Sequence, residues 1–195
     1  MTQTSFIHLD IQNFFGSINR TRITRCLKNL FGYDRAREIA NASTVSHPET
    51  KNHILPFGFI QSPIIASICL RESALGRYLE ELHRMKGVTV SVYVDDLIIS
   101  TKDESISKAI LDKVSAKATR ANFTLNAKKQ EGPSAHITAF NILLSENSLS
   151  IEESRLNKFI DAYLATDSVN KQRGILGYIN SINSDQGLLI STASR

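Results

Sequence analysis

Two adjacent carboxylates, Asp95 and Asp96, interrupt an apolar run in SVYVDDLIIS. A third, Asp10, closes a short apolar stretch in HLDIQNFFGSI. Aspartate is a common turn residue, so the pair by itself fits a hairpin turn between two strands. It also fits a pair of metal ligands held at a hairpin tip. If the stretch carrying Asp10 pairs beside that hairpin, Asp10 and Asp95 face each other across neighbouring strands, about 4.8 Å apart. Carboxylates that close repel, and one stays partly protonated unless a cation lies between them. Hard oxygen ligands with open positions suit Mg²⁺. A pair of such ions about 3.5–4 Å apart serves in-line phosphoryl transfer.

Those carboxylates need elements to hold them. Ser5 to Asp10 reads as a strand. Asn19 or Thr21 can cap a helix with Ile23, Leu27 and Leu30 on one stripe, and a second helix runs from Asp34 to about Ser43. Val45 to His53 is polar, contains Pro48 and reads as a loop. Pro63 starts one long helix to about Lys86, with Ile64, Ile68, Leu75, Leu79 and Leu82 on its apolar face and Gly87 ending it. Val88–Tyr93 and Leu97–Ser100 are β-rich runs on either side of the Asp pair. Asp103 to Ala121 is helical, with Ile106, Ile110, Val114 and Ala118 on one stripe. Phe123–Leu125 and Ile137–Leu144 look extended, and from Glu152 the pattern is helical with a break near Ala165–Ser168. The order implies an α+β fold, with helices on one face of a mainly antiparallel sheet.

Composition bounds the rest. A chain of 195 residues, 42% of them hydrophobic, can bury a core in one large domain or in one domain plus part of another. The net charge of +4 permits nucleic-acid binding without establishing it. Cys26 and Cys69 have no metal-type spacing and read as buried free thiols of a reducing compartment. No apolar run approaches the roughly 18 residues a membrane span needs. The start, MTQTSFIHLD, lacks signal-peptide character, so a cytoplasmic protein is expected. His47 and His53 fit no zinc pattern, and His83 and His136 read as surface residues. His8 is expected on the sheet face opposite Asp10. Arg20, Arg22, Arg25 and Lys28 form a basic helix start, either a template contact or a solvated face.

Five stretches in this order carry a resemblance. FIHLDIQNFFGSI resembles the first catalytic block of bacterial reverse transcriptases. LPFGFIQSPIIAS resembles the second block, SVYVDD the Tyr-x-Asp-Asp box, FTLNAKKQ the fourth block, and AHITAFNILL the primer-grip strands. The match runs from Phe6 to Leu149; the paired Phe14 and Phe15 resemble the group of retrons, group II introns and defence-associated enzymes, and QSPIIAS leans toward the abortive-infection and unknown-group defence enzymes. It implies a polymerase palm over residues 1–151 and the start of a helical thumb over 152–195. Family members carry a fingers region ahead of the first block, and only nine residues precede Asp10 here. A partner protein or missing segment that supplies the fingers is therefore expected.

The resemblance also implies roles. Asp10, Asp95 and Asp96 would hold two Mg²⁺ ions, with Mn²⁺ as a possible substitute, and the Ile11 carbonyl could touch one of them. Phe15 would lie under the sugar and exclude a 2′-hydroxyl by shape. Gly58 would allow close approach of nucleotide or template, Gln61 would contribute a polar contact, and Tyr93 would lie by the primer end. Lys129, with Lys128 as its substitute, would approach the leaving pyrophosphate and could donate a proton. The partners implied are an RNA template, a DNA primer and deoxynucleoside triphosphates. Phe57 stands where the family has Gln, and Ala139 where it often has Gly. Two other readings stay open: a nucleotidyl cyclase on a similar palm, for which no guanine-binding signature is visible, and a non-catalytic or split palm that binds nucleic acid or a partner.

Overall fold

The computed structural model describes residues 3–193. Strand β1 (Ser5–Asp10) opens the fold. Helix α1 (Arg20–Phe31) follows, capped by Asn19, whose side chain accepts the Arg22 amide at 2.8 Å. Ile23 and Leu27 are buried, as the helical spacing predicts, but Leu30 is 62% exposed and lies off the core stripe. Helix α2 (Tyr33–Ala42) buries Ala36 and Ala40. The expected loop at 45–53 is instead a minimal hairpin, β2 (Val45–Ser46) against β3 (His53–Ile54).

The expected long helix is two helices, α3 (Ser62–Arg71) and α4 (Ala74–Arg84). Ser73 explains the break. Its hydroxyl donates to the Leu70 carbonyl at 2.6 Å and accepts the Gly76 amide at 3.1 Å, ending one helix and capping the next. Gly76 is required there, because a Cβ would meet the Leu70 oxygen at 2.1 Å. Within α3, Ile65, Cys69 and Leu70 are buried while Ile64 points out.

Strands β4 (Val88–Tyr93) and β5 (Asp96–Thr101) form the predicted hairpin, and α5 (Glu104–Arg120) follows with Asp103 as its cap. Ile110, Val114 and Ala118 are buried along α5, but Ile106 in its first turn is half-exposed. Strand β6 (Glu131–Ser134) joins the other side of β1 and gives the antiparallel sheet order β4-β5-β1-β6. Its Gly132-Pro133 pair masks it as a strand in the sequence, and an edge position is where a sheet tolerates proline.

Ile7 and Leu9 of β1 pair with Ile99 and Leu97 of β5, and all four enter one core with side chains from α1, α3, α4 and α5. The helices thus cover one sheet face, while Phe6, His8 and Asp10 occupy the other. A second sheet, β7 (His136–Ala139), β8 (Ile142–Ser145) and β9 (Ser148–Ile151), splits the expected extended run 137–144 with a turn. Phe140 and Asn141 both have positive φ there, 56° and 62°, which is the signature of a two-residue hairpin loop. Helices α6 (Glu153–Leu164), α7 (Val169–Ile182) and α8 (Ser184–Ala193) complete the chain. They share a smaller cluster centred on Ile151, Ile179 and Ile190. Gln186 ties it to β9, accepting the Ile151 amide at 2.7 Å and donating to its carbonyl at 3.0 Å.

Candidate active site

The β4–β5 hairpin turns through Val94 and Asp95, with Tyr93 paired to Asp96. Asp95 is therefore turn punctuation and candidate ligand at once. Val94 has φ 57° while Asp95 does not have positive φ, the pattern of a turn whose first position normally wants glycine. A β-branched residue in the left-handed region is strained by about 1–2 kcal/mol.

Register decides which carboxylates meet. The residue directly opposite Asp10 is Asp96, whereas Asp95 was the expected partner. The Asp95 carbonyl instead accepts the Ile11 amide at 2.9 Å, holding the turn against the end of β1. His8 corrects a second expectation. Residues two apart on a strand share a face, so His8 lies on the Asp10 side, and its Nε2 is 2.9 Å from Asp96 Oδ1.

Asp10 is 4% exposed, and both its carboxylate oxygens are occupied. Asn126 Nδ2 donates to Oδ1 at 3.0 Å, and Lys129 Nζ donates to Oδ2 at 2.8 Å. The Asn126 amide also donates to the Asp10 carbonyl at 2.8 Å, locking the loop after α5 to β1. Burial pushes the Asp95 carboxyl above its ordinary pKa, the Asp96 and Asp10 charges add to this, and Lys129 opposes them. The bond to Asp10 holds the Lys129 ammonium above its ordinary value. The carboxylates are neighbours rather than a closed cage: among the described residues, no three His, Cys, Asp or Glu side chains are gathered to hold an ion. The donor set nonetheless suits a hard divalent cation, since oxygen ligands at one strand end repel one another and the Lys129 ammonium offsets them only in part. The Ile11 side chain is buried in the core, leaving its carbonyl as the group that could reach an ion.

Beside Asp95 lies an open cleft of about 640 Å³, walled by Phe15, Phe57, Pro63, Tyr93 and Val94. Phe15 is half-buried and meets Phe57 edge-on, centroids 5.8 Å apart at 69°. Phe14 is a core residue, 2% exposed and packed on Phe123. Tyr93 is 66% exposed and stands edge-on to Phe140, linking the hairpin tip to the β7–β8 turn. Gly58 and Gln61 do not wall the cleft. Gly58, at φ 101°, sits on an exposed turn with nothing near its missing Cβ, and Gln61 precedes α3. Sequence reasoning missed Asn126, His8 and Phe140 as members of this neighbourhood. Asn126 left a signal three residues before Lys129 in the same block, and His8 left one in its two-residue spacing from Asp10.

Known proteins share this fold. A family model described as reverse transcriptase (RNA-dependent DNA polymerase) matches residues 1–179. The retron Ec73 reverse transcriptase of Escherichia coli is 27% identical over 91% of this chain, and the chain spans 62% of that protein's length. A foamy viral protease-reverse transcriptase solved with an RNA/DNA hybrid superposes with TM-score 0.55 and 21% identity, over 97% of this chain and 24% of that one. Telomerase from Candida albicans, solved with a telomeric RNA fragment, superposes with TM-score 0.58 and 10% identity, over 96% of this chain and 41% of that one. With three aspartates at adjoining strand ends, an aromatic-walled cleft beside them and a family match over most of its length, this chain belongs to the reverse transcriptases.

Proposed function

We propose that this chain is the palm and first thumb helices of a bacterial retron-type RNA-directed DNA polymerase. It would extend a DNA primer 3′-hydroxyl with deoxynucleotides along an RNA template. The observation that carries the reading is the meeting of Asp10 and Asp96 in register, with Asp95 at the adjoining turn, beside the cleft of Phe15 and Tyr93. Asp10, Asp95 and Asp96 would hold the divalent ions, Mg²⁺ by ligand type, with the Ile11 carbonyl available to one of them. Bound there, such ions supply charge stabilisation for phosphoryl transfer and an acidified nucleophile. His8 would keep the Asp96 carboxylate oriented, as outer hydrogen bonds do at ligand sites. Lys129 would leave Asp10 when the ions enter and turn its ammonium to the leaving pyrophosphate, where it can give up a proton. Phe15 would bar a 2′-hydroxyl, and Tyr93 with Phe140 would support the primer end. The retron relative and the defence-associated resemblance extend the proposal to antiphage defence, which a plaque assay with wild-type and Asp95→Ala chains reads.

The test pairs calorimetric Mg²⁺ titration with primer extension, on wild type and Asp95→Ala. Metal binding and extension lost together support the reading, provided the variant's circular dichroism is unchanged. Equal metal binding and equal extension in both proteins would sink it. Metal binding by the wild type with no extension favours the split-palm alternative, in which a partner supplies the remaining nucleotide contacts.

A further inference from the structure

On the helix side of the sheet, away from the carboxylates, a polar cleft of about 450 Å³ opens between α1, the α3–α4 junction and the end of α5. Arg22, Arg25, Lys28, Arg77 and Arg120 line it, against a single carboxylate, Glu72. The cleft thus carries +4, as much as the whole chain. None of the five cations forms an ion pair among the described residues. Arg22 is built into the wall: it stacks on Phe123 at 4.6 Å and donates to the Ala121 carbonyl, yet its Nη1 is buried with no hydrogen-bond partner. Burial depresses its pKa, so an anion would relieve it. Unpaired cations converging on one cleft repel, and Glu72 is the one carboxylate in the lining that offsets them.

We propose that this cleft is a second nucleic-acid site, which docks the phosphate backbone of an RNA stem on the face opposite the polymerase site. Charge selects a polyanion. The lining selects the form: it has no aromatic ring, so bases have nothing to stack on as they do in single-strand grooves. Phosphates presented on the outside of a helix fit instead, and such contacts position without reading sequence. The inference uses none of the three aspartates, so it stands or falls apart from the polymerase proposal.

Cys26 reports on the site from within. It shares the cleft with Cys69, and their interaction, aided by Arg25 and Arg22, lowers the Cys26 pKa to about 7. Cys26 is half-buried whereas Cys69 is fully buried, so an alkylating reagent reaches Cys26 first. The experiment measures fluorescein-labelled RNA hairpin binding across a salt series, for wild type, Asp95→Ala and the double variant Arg25→Glu/Arg77→Glu. In parallel, wild-type Cys26 alkylation by iodoacetamide is timed with and without hairpin. Two lost phosphate contacts should weaken binding roughly tenfold or more and flatten the log-log salt slope by about 2. The same double change in an Asp95→Ala background should weaken hairpin binding by the same factor, even where extension is already lost. The hairpin should slow Cys26 alkylation several-fold, a reading that needs no variant to fold. Unchanged alkylation together with unchanged salt slope would overturn the proposal, as would protection of Cys26 by anionic phospholipid vesicles but not by RNA.

Discussion

At the scale of single residues, Asp95 makes the sharpest predictions. Its pKa is raised by burial and by the Asp96 and Asp10 charges. The folded chain therefore holds this proton more tightly than the unfolded one. The associated stability is fully present below the ordinary carboxylate value of 3.8 and is lost as pH rises through the raised value. Asp95→Asn should accordingly raise the metal-free Tm at neutral pH, and the difference from wild type should vanish below the ordinary carboxylate pKa. Added Mg²⁺ should stabilise wild type and leave Asp95→Asn unmoved, because only a state that binds ligand is stabilised by it. Differential scanning fluorimetry at several pH values reads all three. Lys129→Ala should slow single-turnover incorporation roughly hundredfold, the usual loss for a missing acid, without weakening Mg²⁺ binding, since Nζ competes with a cation for Asp10 Oδ2. Phe15→Val should raise ribonucleotide incorporation relative to deoxynucleotide, read by paired extension assays.

At the scale of elements, the α3–α4 break is the feature most open to test. Gly76→Ala forces a Cβ onto the Leu70 carbonyl and should destabilise the fold by about 1–3 kcal/mol. Ser73→Ala loses both junction bonds and should cost about 1 kcal/mol. Urea denaturation measures each. This junction also shows where reading the sequence reached its limit. The apolar spacing from Ile64 to Leu82 continues smoothly, and hydrophobic period alone reports one helix. The cap chemistry of Ser73 and the bare Gly76 carried the interruption, and neither alters the period. The same held for β6, hidden by an edge proline, and for the β7–β8 turn, where Phe140 takes a conformation normally signalled by Asn or Gly. The strands bearing Asp10 and the Asp pair were legible because β propensity and alternation agreed there. Their register was not, since pairing Asp10 with Asp96 rather than Asp95 depends on a two-residue loop that neither strand reveals alone. His8 was legible in principle from the strand period.

At the scale of the whole molecule, the two apolar clusters differ in size. The larger spans the sheet and α1 to α5, while in the smaller, among the described residues, only Ile151, Ile179 and Ile190 are fully covered. Few buried contacts mean a low cost of local opening. Amides of α6, α7 and α8 should exchange with solvent well before those of β1 and β5, as read by hydrogen–deuterium exchange. An added RNA/DNA hybrid should protect these helices if they close over a duplex. Among the described residues, no helix is long and apolar enough to cross a membrane. The carboxylates and the cationic cleft lie on opposite faces of the sheet, so the two proposed nucleic-acid sites would not block one another.

Val94 carries a last consequence. Every copy of the chain holds a valine at φ 57° beside Asp95, whether or not it ever meets a nucleotide. Glycine would sit there without strain, so Val94→Gly should give a longer-lived protein on storage at elevated temperature. It would also give Asp95 a hinge, and the aspartate would spend less time where β1 awaits it. If Asp95 holds an ion as proposed, durability and readiness would thus be set against each other at one residue, Val94.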